Sequence, residues 1–550
     1  MKQSASLIYI LAFLILVNPS CIKTEEVDTI VHNAVIFSLN QENMIFESMA
    51  INDGKIIEIG KENQILNKYK SKIKIDLKKQ FIYPGFIDAH CHFLQYGIQK
   101  QKINLENTNS FDEVITLLLK AKSSDSTTWI QGYGWDQNRW ENKNWPTNEK
   151  LNSIFPNQPI IVSRIDGHAI MVNHKAIEIA NIPLDTVIEG GYIENIQGEY
   201  TGLFIDNAMD LIYSKIPDPT DDEKKMALLK AQQDCIAVGL TTVDIAGIDY
   251  QEIKLIKNLH KSGELKIRIY AMISDKKENF SYFLDTIGEP IILPKLSVRS
   301  FKFFADGSLG SRGACLIKPY SDLKKKHYGQ LLTKIEEYHS KLELLHEYGF
   351  QACTHAIGDS ANREILNQYS NILKGGNDLR WRIEHAQCVN YDDLHYFRDN
   401  NIIPSVQPTH ATSDFIWALT RIGKQRLLNC YQYSTLFKEN QLIALGTDFP
   451  VEGINPLHTF YAAVYRKNKA NKPIGGFQID EALRPIDALK GITFWAALAN
   501  FEEKTKGSLE KGKYADFVVL NNEITTCNED EILKTKVLRT FINGEEVYKN

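Results

Sequence analysis

FIYPGFIDAHCHF, Phe81 to Phe93, is the stretch on which the reading of the fold turns. An apolar run of the kind that fills a protein core ends in two histidines separated by one residue. On a strand, side chains alternate faces, so His90 and His92 point the same way while Cys91 points the other. Two imidazoles converging from one strand end are half of a metal site.

Downstream, from about residue 220, helical periodicity alternates with short apolar, β-branched runs. EKKMALLKAQQDCIAVG (Glu223 to Gly239) reads as a helix closed by glycine, followed by the strand LTTVDIAG. KIRIYAMI, LSVRSFKFFADG, FQACTHAIGD, RWRIEHAQ, IIPSVQPTHA and LIALGTDFP continue the series, separated by helical stretches such as Lys334 to Gly349. With FIYPGFIDAH as the first, eight strands are expected. Alternating strands and helices imply parallel βα units, and eight of them imply a closed α/β barrel, a (β/α)8 TIM barrel over residues 81–500.

Both chain ends fall outside that pattern. Residues 27–80 carry short β runs with Asp53-Gly54 as a hairpin turn signal, and residues 505–550 carry YADFVVLN and VLRTFINGEEVYK with Asn543-Gly544 as a second. The two ends are expected to pair into one small β-sandwich flanking the barrel. Between the first and second strands lie roughly 120 residues, far more than an ordinary βα connection needs. This insertion, at about 100–220, is expected as a subdomain over the barrel mouth.

Residues 1–21 read as a leader. Lys2 precedes the apolar run LIYILAFLILV (Leu7 to Val17), whose length suits a signal peptide and falls short of the roughly 20 residues that span a bilayer. Cys21 stands where a bacterial lipoprotein signal places its lipidated cysteine, although Asn18 occupies the position where leucine is usual. Export is therefore expected, with contact to a membrane only through a lipid on Cys21, on the periplasmic or cell-surface side. The other seven cysteines (91, 235, 315, 353, 388, 430, 527) show no paired spacing, so no disulfide framework is expected and most of them read as buried thiols. Lys plus Arg (63) and Asp plus Glu (68) nearly balance, for a net charge of −5, and no basic stripe appears, which excludes nucleic acid as a partner.

Catalytic groups in such barrels sit at the C-terminal strand ends, whose loops converge on one face. Here the first strand ends in His90 and His92, the fourth carries Lys302, the fifth ends in His355, the sixth in His385 and the eighth in Asp448. Taken singly, each histidine is more often a hydrogen-bonded core residue than a ligand. Their coincidence at successive strand ends is what points to a centre for one or two divalent ions, zinc-like in their preference for nitrogen and oxygen donors. Lys302 reads either as a lysine paired to an acid such as Asp306 or as a buried neutral amine. Carbon dioxide added to that amine would give a carboxylated Lys302 able to bridge two metals.

PGFIDAHCHF, FKFFADGSLGSRGA (Phe301 to Ala314), THAIGD, RIEHAQ, GTDFP and the closing GSLEKGKYADFVVL resemble the amidohydrolase superfamily, and within it the amidohydrolase-3 branch that includes N-substituted formamide deformylases. The likeness covers nearly the whole mature chain, including VSRIDGHAIMVNHKAI in the insertion. It implies that His90, His92 and Asp448 hold one metal, that His355 and His385 hold a second, and that carboxylated Lys302 bridges them. It also implies that Asp448 is the catalytic base and acid, taking a proton from the attacking water and passing it to the leaving nitrogen. One departure is Asp206 in TGLFIDNAMD, where the branch leads one to expect glutamate, a difference that bears on substrate contacts and not on the metals.

Metal ions of this kind lower the pKa of bound water from about 15.7 to about 7 and polarise a carbonyl, so hydrolysis of an amide, N-formyl, N-acyl or cyclic imide-type bond in a small molecule is the expected chemistry. The tryptophan-rich segment Trp129 to Trp145, which contains Trp135, either overhangs the mouth and binds an apolar substituent or packs the subdomain's own core. Arg164 and His168 in SRIDGH, Arg312 in SLGSRG and His410 in QPTH either orient substrate or tie their loops. Two other functions stay open: a heterocycle deaminase of the same superfamily, and a non-catalytic metal- or solute-binding lipoprotein. The bridging capacity of Lys302 weighs against the first, and Asp448 beside a complete ligand set weighs against the second. A homodimer is the assembly allowed for.

Overall fold

A computed structural model describes residues 24–121, 128–165, 169–188 and 191–550; the leader with Cys21, and His168, lie outside the described residues. Eight parallel strands make the barrel: β1 (Phe86–Cys91), β2 (Leu240–Ile248), β3 (Arg268–Ser274), β4 (Leu296–Phe304), β5 (Gln351–Ala356), β6 (Arg382–His385), β7 (Ile403–Val406) and β8 (Ala444–Leu445), paired in that order. This is the expected TIM-barrel fold. Just beyond the last paired residues of β8, the Asp448 N–H donates to the His90 carbonyl and the His92 N–H to the Phe449 carbonyl, each at 2.8 Å. Gly446 allows that approach, since a Cβ there would stand 2.5 Å from the His90 nitrogen. Closing the sheet therefore sets Asp448 beside the two histidines of β1.

The expected first strand is in fact two. Phe81–Pro84 pairs antiparallel with Phe517–Leu520 and parallel with Val35–Phe37, whereas β1 begins at Phe86 and pairs with β2. Gly85 lies at the change of partner, where a Cβ would stand 2.2 Å from the Thr241 hydroxyl. An apolar run is compatible with either sheet, so pattern alone could not show the break.

Flanking the barrel are two stacked sheets. One contains Lys55–Gly60, Ser48–Asn52, Thr29–His32 and Ile73–Asp76; the other takes Glu545–Lys549, Val537–Ile542 and Phe517–Leu520 from one chain end and Phe81–Pro84, Val35–Phe37 and Ile45–Phe46 from the other. Ile36, Met49, Ile82, Phe517 and Phe541 fill the space between them. Asp53 and Gly54, and likewise Asn543 and Gly544, have the positive φ that tight two-residue hairpin turns require. Arg268, fully buried at the start of β3, ties barrel to sandwich by donating to Asp516 at 2.5 and 3.1 Å and to Asn543 Oδ1 at 2.5 Å.

The insertion leaves the barrel through α1 (Phe93–Gln101) and returns through α2 (Asp221–Ala237), whose first turn is closed by a reciprocal Thr220–Glu223 cap. Between them stands a six-stranded mixed sheet ordered Ile103–Asn104, Ile130–Trp135, Ile160–Arg164, Ala169–Val172, Glu199–Asp206 and Gly191–Ile196. It has a core of its own, built on Leu105, Val114, Trp135, Trp140 and Val162.

The expectation of no disulfide framework is corrected at one place: Cys388 and Cys430 form a disulfide. The segment after β6 and the segment before the helix Tyr433–Asn440 run antiparallel there, with the Val389 N–H donating to the Asn429 carbonyl at 2.9 Å. A separation of 42 residues with no motif around either cysteine carries no signal of that pairing. Cys91, Cys235 and Cys353 are buried free thiols, and Cys315 and Cys527 are partly buried ones.

Candidate metal centre

At the C-terminal mouth of the barrel lies a cavity of about 370 Å³. His92, Lys302, His355, His385, His410 and Asp448 line it, together with the apolar Phe304, Leu309, Ile357, Trp417 and Val451 and the polar Gln387, Asp414 and Glu452. All six residues expected at the metal positions meet at this mouth. His90 Nε2 and His92 Nε2 stand 3.7 and 3.2 Å from Asp448 Oδ1, and Lys302 Nζ stands 3.2 Å from His90 Nε2. The His385 ring centroid is 4.9 Å from that of His90 and 4.5 Å from that of His355.

Local structure aims these groups. β1 ends at Cys91, whose side chain is buried in the barrel wall, and His92 is the residue before α1, so its backbone already leaves the sheet. His385 and Asp448 both hold left-handed backbone, with φ of 73° and 62°. For residues other than glycine that conformation costs on the order of 1 kcal/mol, and it persists where the surroundings impose it.

Beneath the cavity, Arg382 and Glu384, two positions apart on β6 and wholly buried, point into the barrel. The Arg382 guanidinium contacts Glu384 at 2.7 Å and Asp244 at 3.2 Å and donates to Ser405 Oγ at 2.8 Å. Glu384 in turn takes the His90 Nδ1–H at 2.5 Å. Burial opposes the charge on Glu384, but Arg382 and His90 outweigh it and hold the carboxyl down at about 2. Burial, then the Lys302 ammonium, pushes His90 down to about 4, so its ring is neutral, with Nδ1–H on Glu384 and the Nε2 lone pair facing the cavity. His355 is pushed down to about 3 by burial and by Lys302, and His385 well below its usual range by burial and by His355. Lys302 is itself lowered by burial. Although burial works against the Asp448 carboxylate, hydrogen bonds from His410 and His92 hold it well below the usual range.

Neutral imidazoles around an ionised carboxylate are the donor set that a divalent cation takes. Two atoms here are buried without a hydrogen-bond partner, His355 Nε2 and His385 Nδ1, and native interiors seldom leave such groups unsatisfied. His90, His92 and Asp448 each offer a ligand atom within 4.8 Å of the others. The residues present fit a resident metal.

Comparison with known proteins agrees. The family model Amidohydro_3, described as "Amidohydrolase family", matches residues 74–548. The chain belongs to the amidohydrolase family. Among its relatives, Protein LONG AFTER FAR-RED 3 of Arabidopsis thaliana is 31% identical over 95% of this chain and 91% of its own. N-substituted formamide deformylase of Arthrobacter pascens is 24% identical over 95% of this chain and 98% of its own. An uncharacterized metal-dependent hydrolase from Pyrococcus horikoshii OT3 superposes with a TM-score of 0.77 at 26% identity, covering 91% of this chain and 99% of that one. The protein is thus a hydrolase of the metal-dependent amidohydrolase superfamily.

Within this amidohydrolase, the residues expected to touch substrate are placed unequally. His410 is at the cavity, on the helix Pro408–Asp414 that follows β7 and not on the strand itself. Trp135 is corrected: it is fully buried in the core of the insertion, donates its indole N–H to the Val162 carbonyl at 3.0 Å and packs on Trp140 and Trp145. Arg164 pairs with Asp136 at 2.8 Å within the same subdomain, and Arg312 donates to Asp322 at 2.8 and 3.2 Å, tying its loop. Among the described residues, none of the insertion lines the cavity, Asp206 at the end of its strand included. Lys302 is not paired with Asp306, which accepts the backbone N–H groups of Cys315, Ile357 and Gly358 at 2.8–3.0 Å and braces the loop beside His355. Glu384 and Glu452 went unread in the sequence. Alternation along RIEH would have found Glu384, since Arg382 and Glu384 share a face of the strand.

Proposed function

We propose that this amidohydrolase hydrolyses a C–N bond in a small molecule of amide type, an amide, N-formyl or N-acyl group, with Asp448 as the group that moves the proton. The observation that carries this reading is the placement of the Asp448 carboxylate, ionised, in left-handed backbone, at the point of the cavity where His90, His92 and His410 converge. His90, His92, Lys302, His355, His385 and Asp448 would hold one or two divalent ions, zinc fitting the donors, which when bound make water nucleophilic near neutral pH and polarise a carbonyl. Lys302 would serve in its carboxylated form if two ions are held.

Asp448 accepts the proton of the attacking water and returns it to the departing nitrogen, which makes the amine a competent leaving group. Glu384 fixes the His90 ring so that its Nε2 stays turned to the cavity. The apolar lining of Phe304, Leu309 and Trp417 excludes water and receives the apolar part of the substrate. Similarity to a formamide deformylase supports the choice of bond. We also infer export with lipid on Cys21, a reading supported by the Cys388–Cys430 disulfide, since such bonds persist in oxidising compartments; the mass of the mature N-terminus tests it, an unmodified Cys21 counting against.

The functional test is a panel of N-formyl amines, N-acyl amines and cyclic ureides offered to zinc-loaded protein, with Asp448→Asn run alongside. Turnover of an N-formyl or N-acyl member is expected, and Asp448→Asn should lower kcat by about 10²–10⁴-fold with an unchanged far-UV spectrum. Turnover confined to ureides, or full activity in Asp448→Asn, would refute the assignment.

A further inference from the structure

Two carboxylates that line the cavity stand outside the metal positions, Asp414 and Glu452. Glu452 is already engaged. Its Oε1 accepts the Ser413 hydroxyl at 2.6 Å and faces His410 Nδ1 at 3.5 Å, while His410 Nε2 lies 3.2 Å from Asp448 Oδ2. Asp414 has no such match. Its Oδ2 accepts the Tyr431 hydroxyl at 2.9 Å, a neutral donor that in turn accepts the Gln387 amide at 3.1 Å. Its Oδ1 is reached by the Ser413 hydroxyl only at 3.5 Å, and that hydroxyl makes its shorter bond to Glu452. Burial pushes the Asp414 carboxyl up to about 6 against His410 and Tyr431, which leaves it ionised at neutral pH. The positive charge nearby is thus His410, whose two nitrogens are taken by Asp448 and Glu452.

No other cation is free to answer Asp414. Among the described residues no arginine lines the cavity, and its one lysine, Lys302, belongs to the metal positions. Arg312 and Arg421, close by in the chain, both hold Asp322, and Arg421 also donates to the Gly310 carbonyl at 3.1 Å. Trp417 lines the same cavity just beyond Asp414, its backbone N–H donating to the Asp414 carbonyl at 3.0 Å. A carboxylate beside an indole suits an organic cation, which gains a charge-assisted hydrogen bond from the first and the ring quadrupole of the second.

We propose that Asp414 determines specificity: the cavity selects a substrate whose substituent beyond the scissile bond carries a positive charge, an ammonium or amidinium, held by Asp414 and flanked by Trp417. The inference rests on the reading above of a small amide-type substrate and names its class. An anionic substituent, such as the carboxylate of an N-acyl amino acid, would meet Asp414 with no free cation to hold it.

Two formamides of equal length decide it, N-(ω-aminobutyl)formamide with a charged tail and N-pentylformamide with a neutral one. Zinc-loaded wild type is expected to favour the charged member in kcat/KM by at least about tenfold, chiefly through KM. Asp414→Asn should bring the ratio to within about threefold of unity, and Asp414→Glu should restore a preference for the charged member. Calorimetric titration with benzamidinium and with benzyl alcohol reads the same pocket without turnover: wild type should bind the cation more tightly, and Asp414→Asn should lose that difference. Equal turnover of the two formamides by wild type would overturn the inference while leaving amide hydrolysis in place, and so would an undiminished ratio in Asp414→Asn. Absence of turnover with both, beside benzamidinium binding that depends on Asp414, would remove the functional reading and keep the cation pocket. Where Asp414→Asn does not fold, the wild-type ratio decides together with Trp417→Leu, in which the preference should fall by about threefold or more; a preference untouched there overturns the inference.

Discussion

His260, near the C-terminal end of the helix α3 (Tyr250–Ser262), shows how one half-buried titratable group couples folding to pH far from the site. Its Nε2–H donates to the Ile267 carbonyl at 2.9 Å, and burial, joined by Lys295 and Arg268, pushes it down to about 4. Between pH 6.5 and 4 the unfolded chain takes up a proton there that the folded chain refuses. Its contribution to stability is therefore full above pH 6.5 and is lost as the pH falls toward 4. His260→Gln, which keeps a donor for Ile267, should lose less stability than wild type between pH 7 and pH 5, by about 1–2 kcal/mol in urea unfolding. Equal losses in the two proteins would contradict this. At the same scale, His90, His92, His355, His385 and Asp448 were visible because each closes an apolar run, a local signal. His410 carries no such mark: what sets it apart is its contact with Asp448, and that contact crosses 38 residues of chain.

Elements hold these residues at their angles, and α1 against α2 is the closest case. Gly97 in the middle of α1 faces the backbone of α2, and a Cβ there would stand 2.1 Å from the Ala227 carbonyl oxygen. Helix propensity alone would favour Gly97→Ala by about 1 kcal/mol. The clash is with rigid backbone and outweighs it, so Gly97→Ala should destabilise by about 1–3 kcal/mol. Because α1 starts directly after His92, the same change should weaken cation binding at this end of the centre, read by dialysis; a stabilised variant with unchanged binding would argue against the close contact. The eight βα units were legible from alternation of period, whereas the break at Gly85 was not. Phe81–Pro84 and β1 are both apolar and extended, and only the difference in partner separates them.

For the molecule as a whole, the joint between barrel and sandwich rests on a buried ion pair. Asp516 is 4% exposed and Arg268 1%, and Asn543 and the Pro294 carbonyl take two further guanidinium hydrogens. Removing one partner leaves an uncompensated buried charge, which costs about 3–5 kcal/mol. Asp516→Ala should lower the unfolding free energy by about that amount, measured by urea denaturation, and a change under 1 kcal/mol would show that the joint is not held there.

The order of strands and helices, the Asp53-Gly54 and Asn543-Gly544 turns and the strand ends that bear imidazoles followed from the sequence by itself, because periodicity and turn chemistry act over a few residues. The tertiary structure alone decided that Cys388 meets Cys430 across 42 residues, that Arg268 meets Asp516 across 248, and that Trp135 faces its own subdomain's core and not the cavity. Such neighbours are set by which segments share apolar surface once the barrel closes, and no window along the chain contains both partners of any of them.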